Sequence, residues 1–594
     1  MSGQERKQQA VTRRGVLLTT FMVAPFSVLL GRLYVLQVIA GKEYRRLSEQ
    51  NRISLRLVVP KRGKLLDRYG KILADNKKSF RLVMIPEQAS EPAKLLRRVA
   101  QVIKLEVGQQ LDVLKRIGQS PSFVSVSIKN FLTFDEVARA QVNLPELPGV
   151  DVEEIEVREY PHGSVGAHVY GYMGPATLSQ LKQSTDPLLK MPDFRVGRRS
   201  LEQVLDKRLR GKAGTNQVEV NALGREVRII SQQPPQEGEA ITLSLSSRLQ
   251  QVAWDELGDR RGAIVALDTQ TGDVLTMVSS PSFNPNDFVY GISDADWRQL
   301  QNDPRKPLID RCCKGTYAPG STFKMLVALA ALEEGLVTPE EKILCTGHME
   351  FGGRRFHCWK ESGHGEMDLQ HAIAHSCDIY FYEMGRRLGV DTIARYAQMF
   401  GLGESTGILL TEDDGLIATT SWKKQTKGVG WRQGESLITA IGQGYTLATP
   451  LQLAVMGARL ATGRAVRPHL EAYQSIPDYT ELAISPENLA VVQQAMWDVV
   501  NRPYGTAFGS RLRHWKFGGK TGTSQVVSRR QDEESDQTKV PENERTHALF
   551  VGFGPIPDPR VAICVILENA GSGSHVAAPV ARNVLAAAFR ELQV

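Results

Sequence analysis

Ser321-Thr322-Phe323-Lys324 is the stretch that decides the fold and the chemistry of this chain, and two later segments complete it. They are Ser376-Cys377-Asp378 and Lys520-Thr521-Gly522-Thr523. Together the three motifs supply a hydroxyl nucleophile, a neighbouring amine, a polar relay and a basic strand edge that can hold an anion. Each motif alone occurs often by chance, so the prediction depends on their order and on the elements that carry them.

The first motif predicts a nucleophile beside a base. Ser321 follows Pro319-Gly320 at the start of a predicted apolar helix over 321–334, which Gly335 ends. Its hydroxyl therefore lies at the positive end of the helix dipole, where developing negative charge is favoured. Lys324 lies one turn further on the same face, where we expect it to accept the proton of Ser321. A helix-capping serine followed by a surface lysine is the plainer alternative.

The second motif falls on a short predicted loop between two helices, over 369–374 and 380–388. A loop of this kind can point side chains into a cleft. We expect Ser376 to relay a proton between Lys324 and a leaving amine. Asp378 can hold a substrate amide or fix a lysine.

The third motif lies in a predicted strand after two glycines, which let another backbone approach closely. We expect Lys520, Thr521, Gly522 and Thr523 to bind the substrate. Lys520 supplies positive charge, and the threonine hydroxyls can bind a substrate carboxylate. The backbone N–H groups of Thr523 and Ser321 are the predicted oxyanion hole.

A chain of 594 residues is too long for one core and predicts two or more folded units, and the surrounding pattern predicts an α+β fold for residues 241–594. A polar linker over 232–239 sets a boundary near residue 240, after a stretch of mixed short strands and helices. We expect helices packed on an antiparallel sheet whose strands come from both ends of this unit. The expected elements are a hairpin over 262–278, strands over 515–523, 547–553 and 561–568, and a closing helix over 576–592. Residues 528–544 are expected to form a mobile polar loop.

The first forty residues predict a membrane anchor. Basic residues precede a largely uncharged apolar run over 15–38, which as a helix rising about 1.5 Å per residue is long enough to span a bilayer. The basic flank places residues 1–14 in the cytoplasm and the rest of the chain outside. A signal peptide cleaved after Val38-Ile39-Ala40 is the alternative.

Composition excludes little but points away from nucleic acid. The chain has a net charge of +8, 42% hydrophobic and 23% charged residues, which is ordinary for globular protein. The basic residues are dispersed, and the sequence contains no zinc-finger pairing or RNA-binding aromatic pattern. We therefore expect partners at a membrane or an anionic polymer, and no nucleic acid.

Half of the six cysteines fall with His364 in a short window around the second motif, where His348 and His357 are spare candidates. The four residues are Cys345, Cys358, His364 and Cys377. Three thiolates and an imidazole are a common tetrahedral zinc set. A disulfide, which an oxidising compartment permits, and unconnected buried thiols stay open as alternatives. The remaining cysteines are expected to pack in the core, and these are Cys312, Cys313 and Cys564.

With these motifs in place, the chain resembles the class B penicillin-binding proteins, and among them the elongation-specific group. The resemblance covers nearly the whole chain. Its segments include Arg62-Gly63, Asp67-Arg68-Tyr69-Gly70, Ala167-His168-Val169-Tyr170-Gly171-Tyr172, Ser200-Leu201-Glu202, Tyr317-Ala318-Pro319-Gly320, Ile441-Gly442-Gln443-Gly444 and Thr449-Pro450-Leu451-Gln452.

The resemblance implies an architecture and an activity. The architecture is a cytoplasmic tail (1–14), a transmembrane anchor (15–38), an elongated pedestal or dimerisation-type domain (39–240) and a penicillin-binding, serine β-lactamase-like transpeptidase domain (241–594). The activity is peptidoglycan D,D-transpeptidation at the inner membrane, through an acyl-enzyme on Ser321 formed from the D-Ala-D-Ala end of a stem peptide. β-Lactams should acylate the same serine. The implied partners are a RodA-type glycosyltransferase and other elongation-complex proteins.

Two details refine this resemblance. The third residue of the second motif is commonly asparagine in the family, and Asp378 matches the elongation-type members. Some of those members resemble this chain in holding a structural zinc through the middle residue of that motif and a Gly-His-Gly histidine, which correspond to Cys377 and His364. The chemistry itself is expected to need no cofactor.

Several other functions stay open at this point. A septal transpeptidase of the same class would share all three motifs. A D,D-carboxypeptidase or β-lactamase would resolve the same acyl-enzyme with water. A penicillin sensor or an assembly scaffold with a silent site is the non-enzymatic alternative, although residues 1–14 are too short for a signalling domain.

Overall fold

The computed structural model describes residues 21, 23, 25–39, 53–119, 122, 124–191, 193–220, 226–472, 477–524, 541 and 544–594. The chain packs as two compact units, each built from separate segments. The first unit takes residues 1–60, 79–155 and 212–237, and the second takes 61–78, 156–211 and 238–594. The domain limits derived from the sequence stay a prediction.

The predicted anchor over 15–38 lies partly outside the described residues. Residues 25–34 are helical, and Val35–Ile39 continue as a π-helical turn. No helix within the described ranges is long and apolar enough to cross a membrane. Most of the predicted loop over 528–544 also lies outside the described residues.

The first unit contains an antiparallel sheet and a helical core. The sheet runs in the order Ile53–Val58, Gly214–Val220, Glu226–Gln233. Its helices are Pro92–Val102, Val107–Gln119 and Phe134–Asn143. They enclose an apolar core in which Leu96, Val99 and Val113 are almost fully buried. Strand Val126–Lys129 pairs with the end of the long strand Ile72–Met84.

The second unit is built around a five-stranded antiparallel sheet. Its strands are β1 (Gly262–Asp268), β2 (Val274–Ser280), β3 (Gly518–Ser524), β4 (His547–Gly554) and β5 (Val561–Leu567). The order in the sheet is β2-β1-β5-β4-β3, so strands from both ends of the unit lie side by side, as predicted. Every residue of β1, β2 and β5 is buried, and because successive side chains alternate between faces, both faces of the sheet must be covered.

Helices cover this sheet. Ser247–Leu257 and Ala578–Leu592 pack on its strands and on each other, and Pro450–Thr462 packs on β1, β4 and β5. Three more helices position the site described below: α1 (Lys324–Glu333), α2 (Leu369–Ala374) and α3 (Asp378–Leu388). The predicted closing helix is confirmed, while the predicted strand over 515–523 begins later, at Gly518.

The remaining elements of the second unit are short or peripheral. The further helices of eight residues or more are Asp294–Asn302, Val390–Met399, Thr420–Lys427, Gln433–Ala440 and Pro486–Asn501. The short helices are Ala167–Tyr170, Leu178–Gln183, Ser200–Val204, Asp206–Arg210, Pro285–Tyr290 and Arg311–Lys314. The short strands are Leu65–Leu66, Met173–Pro175, Arg195–Gly197, Ile241–Thr242, Ile343–Cys345, His348–Phe351, Arg354–His357 and Gly365–Met367. Strand Val150–Glu159 pairs with Ile72–Met84.

Candidate active site

Ser321 lies on a tight turn that precedes a buried helix. The predicted helix over 321–334 is corrected here, since Gly320–Phe323 form a 3₁₀ turn and α1 begins only at Lys324. Gly320 adopts a positive φ of 53°, which a glycine tolerates without a Cβ clash. The turn buries Thr322 and Phe323 and leaves Ser321 half-buried.

Lys324 is the centre of the site. Its side chain is fully buried at the start of α1, and its Nζ donates to Asp378 Oδ1 at 2.7 Å, to the Ser376 carbonyl at 2.9 Å and to Ser376 Oγ at 3.2 Å. Three acceptors match the three protons of an ammonium group. The Phe381 ring, with its centroid 5.5 Å from Nζ, adds a cation–π contact. The structure thus brings the first and second motifs together at Lys324.

The second motif lies in the turn between α2 and α3. Ser376 has a positive φ of 58°, unusual for a residue other than glycine. Asp378 is the first residue of α3, where its carboxylate faces the positive end of the helix dipole. Its second oxygen accepts the backbone N–H of Trp359 at 3.0 Å.

The third motif is strand β3 at the edge of the sheet. Lys520 is fully buried, and its Nζ donates to the carbonyl of Thr521 at 3.1 Å. Burial and the neighbouring Lys324 ammonium hold the pKa of Lys520 well below its ordinary value, although the Asp378 carboxylate acts in the opposite direction. Lys520 therefore loses its proton more readily than a surface lysine.

The two threonines of β3 have different environments. Thr521 is buried, and its hydroxyl lies 2.9 Å from that of Thr506. Thr523, by contrast, is exposed. A Cβ on Gly522 would lie 2.9 Å from Thr322 Cγ2 and 3.1 Å from the Pro319 carbonyl oxygen. Strand β3 thus packs directly against the turn that carries Ser321.

The turn at residues 442–443 contacts both the Ser321 turn and strand β3. The Gly320 N–H donates to the Gly442 carbonyl at 2.9 Å, and a Cβ on Gly442 would lie 2.2 Å from the Gly320 oxygen. Gln443 Nε2 donates to the Thr523 carbonyl at 3.2 Å. The Ser321 turn, the 442–443 turn and β3 therefore fix each other's backbone positions.

The cysteine cluster lies beside the second motif. The ligand atoms of Cys345, Cys358, His364 and Cys377 all lie within 4.8 Å of one another. All six cysteines of the chain are free, so the structure contains no disulfide between them. The predictions that Cys312, Cys313 and Cys564 are core residues are confirmed, since each is at most 1% exposed.

The electrostatics of the cluster favour anionic sulfur. Hydrogen bonding by Cys377 lowers the pKa of Cys345 and of Cys358 to about 4, whereas the pKa of Cys377 itself is raised by the same contacts. Burial opposes a charge on His364, but its hydrogen bonds to Cys358 and Cys345, both 3.5 Å from Nδ1, raise its pKa overall. Two thiolates beside an imidazole are a donor set suited to a soft divalent metal.

Sequence reasoning missed three residues of this site. Trp359 bonds both the carboxylate of Asp378 and the main chain at Ser376, and only its position next to Cys358 could have drawn attention to it. Thr506 contacts the hydroxyl of Thr521 from a loop without a recognisable pattern. Gln443 lay in a segment noted only for its resemblance, and no contact with Thr523 could be inferred from it.

Comparisons with known proteins agree with this geometry. The Penicillin-binding Protein dimerisation domain matches residues 57–243, and the Penicillin binding protein transpeptidase domain matches residues 262–586. Peptidoglycan D,D-transpeptidase MrdA of Salmonella typhimurium is 33% identical over 603 residues, which cover 98% of this chain and 96% of that protein.

Two solved structures have the same fold. PBP2 of Helicobacter pylori, solved in complex with MreC, is 30% identical with a TM-score of 0.80, covering 91% of this chain and 99% of that one. A chain from a structure of a peptidoglycan synthase complex that coordinates polymerization and crosslinking is 32% identical with a TM-score of 0.72, covering 97% and 98%.

The close contact between Gly442 and the Gly320 backbone yields a prediction with a matched control. Gly442→Ala places a Cβ against the Gly320 carbonyl, so we expect the Ser321 turn to shift and acylation by a fluorescent penicillin to slow by at least about tenfold, equivalent to roughly 1.4 kcal/mol in the barrier. Gly444→Ala is the control, because Gly444 has a similar φ of 79° but its Cβ would meet only Ile438 Cγ2, at 3.4 Å. Equal acylation rates in the two variants would contradict the claim that the Gly442 contact fixes the Ser321 turn.

Proposed function

The chain belongs to the class B penicillin-binding proteins, in the penicillin-binding protein 2 group of peptidoglycan D,D-transpeptidases, and on that premise we propose that Ser321 is its nucleophile and Lys324 its base. The observation that carries the assignment is the burial of Lys324, one turn from an accessible serine and bonded to Ser376 and Asp378. Because its amine lies 3.2 Å from the Ser376 hydroxyl, it is placed to exchange a proton with that hydroxyl.

The proposed first step acylates the enzyme. Ser321 Oγ attacks the carbonyl carbon of the penultimate D-alanine, and Lys324 in its neutral form takes the hydroxyl proton. An ester forms on Ser321 while the peptide bond to the last D-alanine breaks. The leaving amine receives a proton by way of Ser376 Oγ, which lies 3.2 Å from Lys324 Nζ. Asp378 stabilises the ammonium that Lys324 carries in between.

The second step transfers the acyl group. The amine of another stem peptide attacks the ester carbonyl, its proton passes back to Lys324 and Ser376, and Ser321 Oγ leaves with a proton. The result is a peptide cross-link and a regenerated enzyme. No cofactor takes part in either step.

Strand β3 binds the substrate in this proposal. The backbone N–H groups of Ser321 and Thr523 would bind the developing oxyanion, and the close contacts at Gly320 and Gly442 support the positions of both segments. Thr523 is exposed and offers its hydroxyl to the terminal carboxylate of the donor peptide. Lys520 and Thr521 lie buried behind it and support that end of the site.

The assignment of Ser321 predicts a specific adduct. After incubation with penicillin, we expect the intact mass to increase by one drug molecule, and peptide mapping to place the adduct on Ser321. Ser321→Ala should abolish labelling, whereas Ser376→Ala should slow it by roughly 100-fold or more but leave the label on Ser321, as loss of a proton relay does. Labelling of the Ser321→Ala protein at another residue would contradict the proposal.

We further propose that the cysteine cluster holds a structural zinc ion. The fit rests on the donor set: the separation of 3.5 Å between His364 Nδ1 and each of two sulfurs is close to the ligand-to-ligand edge of about 3.6 Å in a tetrahedral zinc site. His364 Nε2 is buried without a hydrogen-bond partner within the described residues, which leaves Nδ1 as its polar contact. When bound, zinc would cross-link the segments that carry Cys345, Cys358 and Cys377, next to Asp378.

Metal analysis tests this site. We expect the purified protein to contain about one zinc per chain, the stoichiometry of a single four-ligand site. Cys345→Ala should lose the metal, while Cys564→Ala, which removes a buried thiol elsewhere in the fold, should retain it. A metal-free wild-type protein, with its thiols either all titratable or oxidised in a disulfide, would contradict the proposal.

We also propose that residues 15–38 anchor the chain in the inner membrane, with the catalytic unit outside and a RodA-type glycosyltransferase as partner. The support is the basic flank and apolar run of the sequence, together with the likeness to PBP2 solved with MreC and to a chain of a peptidoglycan synthase complex.

Fractionation tests the anchor and the partner together. The full chain should stay with membranes after a high-salt wash and co-purify with the glycosyltransferase in detergent. A chain that begins at residue 40 should be released and lose the partner. Release of the full chain from membranes by salt alone would contradict the anchor.

A further inference from the structure

Ser376 carries a backbone conformation that its neighbours must maintain. A φ of 58° is unfavourable for a residue with a Cβ, because the Cβ lies too close to the following carbonyl oxygen. Such a conformation persists only where surrounding contacts hold it. It matters here because it presents both the carbonyl and the hydroxyl of Ser376 to Lys324 Nζ, at 2.9 and 3.2 Å.

Trp359 contacts this strained segment from both sides of Cys377. Its indole N–H lies 3.1 Å from the carbonyl oxygens of both His375 and Ser376. Its backbone N–H donates to Asp378 Oδ2 at 3.0 Å. Trp359 thus bonds three of the four residues from His375 to Asp378.

The exposure of Trp359 makes this arrangement notable. Its side chain is 52% exposed, so the burial of apolar area alone does not explain a tryptophan here. The indole N–H instead faces the carbonyl oxygens of His375 and Ser376, and Ser376 is the proposed proton relay. Phenylalanine would keep an aromatic ring at this position but could not donate a hydrogen bond.

We infer that Trp359 is a positioning residue of the transpeptidase site, whose indole N–H holds the main chain at Ser376 in the left-handed conformation that places the Ser376 hydroxyl beside Lys324. The inference rests on the proposed roles of Ser321, Lys324 and Ser376. It adds a residue that acts through Ser376 and does not itself touch the reacting atoms.

The inference predicts a defect in the chemical step. In Trp359→Phe, the two carbonyls lose their shared donor, the turn relaxes, and the hydroxyl of Ser376 moves away from Lys324. We expect the first-order rate of acylation at saturating penicillin to fall by roughly three- to tenfold, the value of one hydrogen bond, while the apparent dissociation constant of the drug stays unchanged. Stopped-flow labelling with a fluorescent penicillin separates the two constants.

Trp515→Phe is the matched control. It also removes an indole N–H bond to a main-chain carbonyl, that of Val594 at 2.7 Å, but lies outside the site. We expect the control to acylate like wild type even if both variants melt at a slightly lower temperature. An isostere at position 359 with sulfur in place of the indole N–H (3-benzothienylalanine) keeps the ring shape if Trp359→Phe does not fold, and should reproduce the slow acylation.

Three outcomes overturn the inference. One is a wild-type acylation rate in Trp359→Phe or in the isostere. Another is a change confined to the drug's dissociation constant, which would make Trp359 a binding surface. The third is an equal loss in the Trp515→Phe control. Labelling of Ser321→Ala would instead overturn the proposed nucleophile, so the two failures can be told apart.

Discussion

The buried ammonium of Lys324 is the interaction on which the rest of the site depends. Moving a charge out of water costs several kcal/mol unless partners replace the lost solvent, and a buried ion pair that loses one partner is destabilised by about 3–5 kcal/mol. Asp378 and Ser376 are those partners, and they lie more than fifty residues after Lys324 in the sequence. The charge of Lys324 therefore compels the turn between α2 and α3 to approach α1.

A complementary constraint acts on the other side of Ser321. There the contacts are between main chains, and three glycines at 320, 442 and 522 remove the side chains that would otherwise prevent them. The ion pair of Lys324 therefore fixes the segments on one side of Ser321, and the glycine contacts fix those on the other. Both sets of contacts restrict the turn that carries Ser321. An oxyanion hole requires donors whose positions are fixed in this way before the reaction.

The sequence predicted most of the fold and the residues of the three motifs, for physical reasons. Short apolar runs with turn residues beside them, such as 262–267 and 561–567, favour strands buried on both faces, and a lysine in an apolar helix requires a partner. The sequence did not predict the 3₁₀ turn at Ser321, because a short 3₁₀ segment and the start of an α-helix share the same pattern. Trp359 and Gln443 were also missed, since their hydrogen bonds join segments whose proximity only the folded chain creates.

We propose that the ester on Ser321 forms between the Lys324–Ser376–Asp378 contacts on one side and strand β3 on the other. A crystal structure of the penicillin-acylated protein is the direct test. We expect a covalent bond to Ser321 Oγ, with the ester carbonyl oxygen within hydrogen-bond distance of the N–H groups of Ser321 and Thr523, and the Ser376 hydroxyl still beside Lys324. An adduct whose carbonyl oxygen points away from both N–H groups, with Lys324 detached from Ser376 and Asp378, would contradict it.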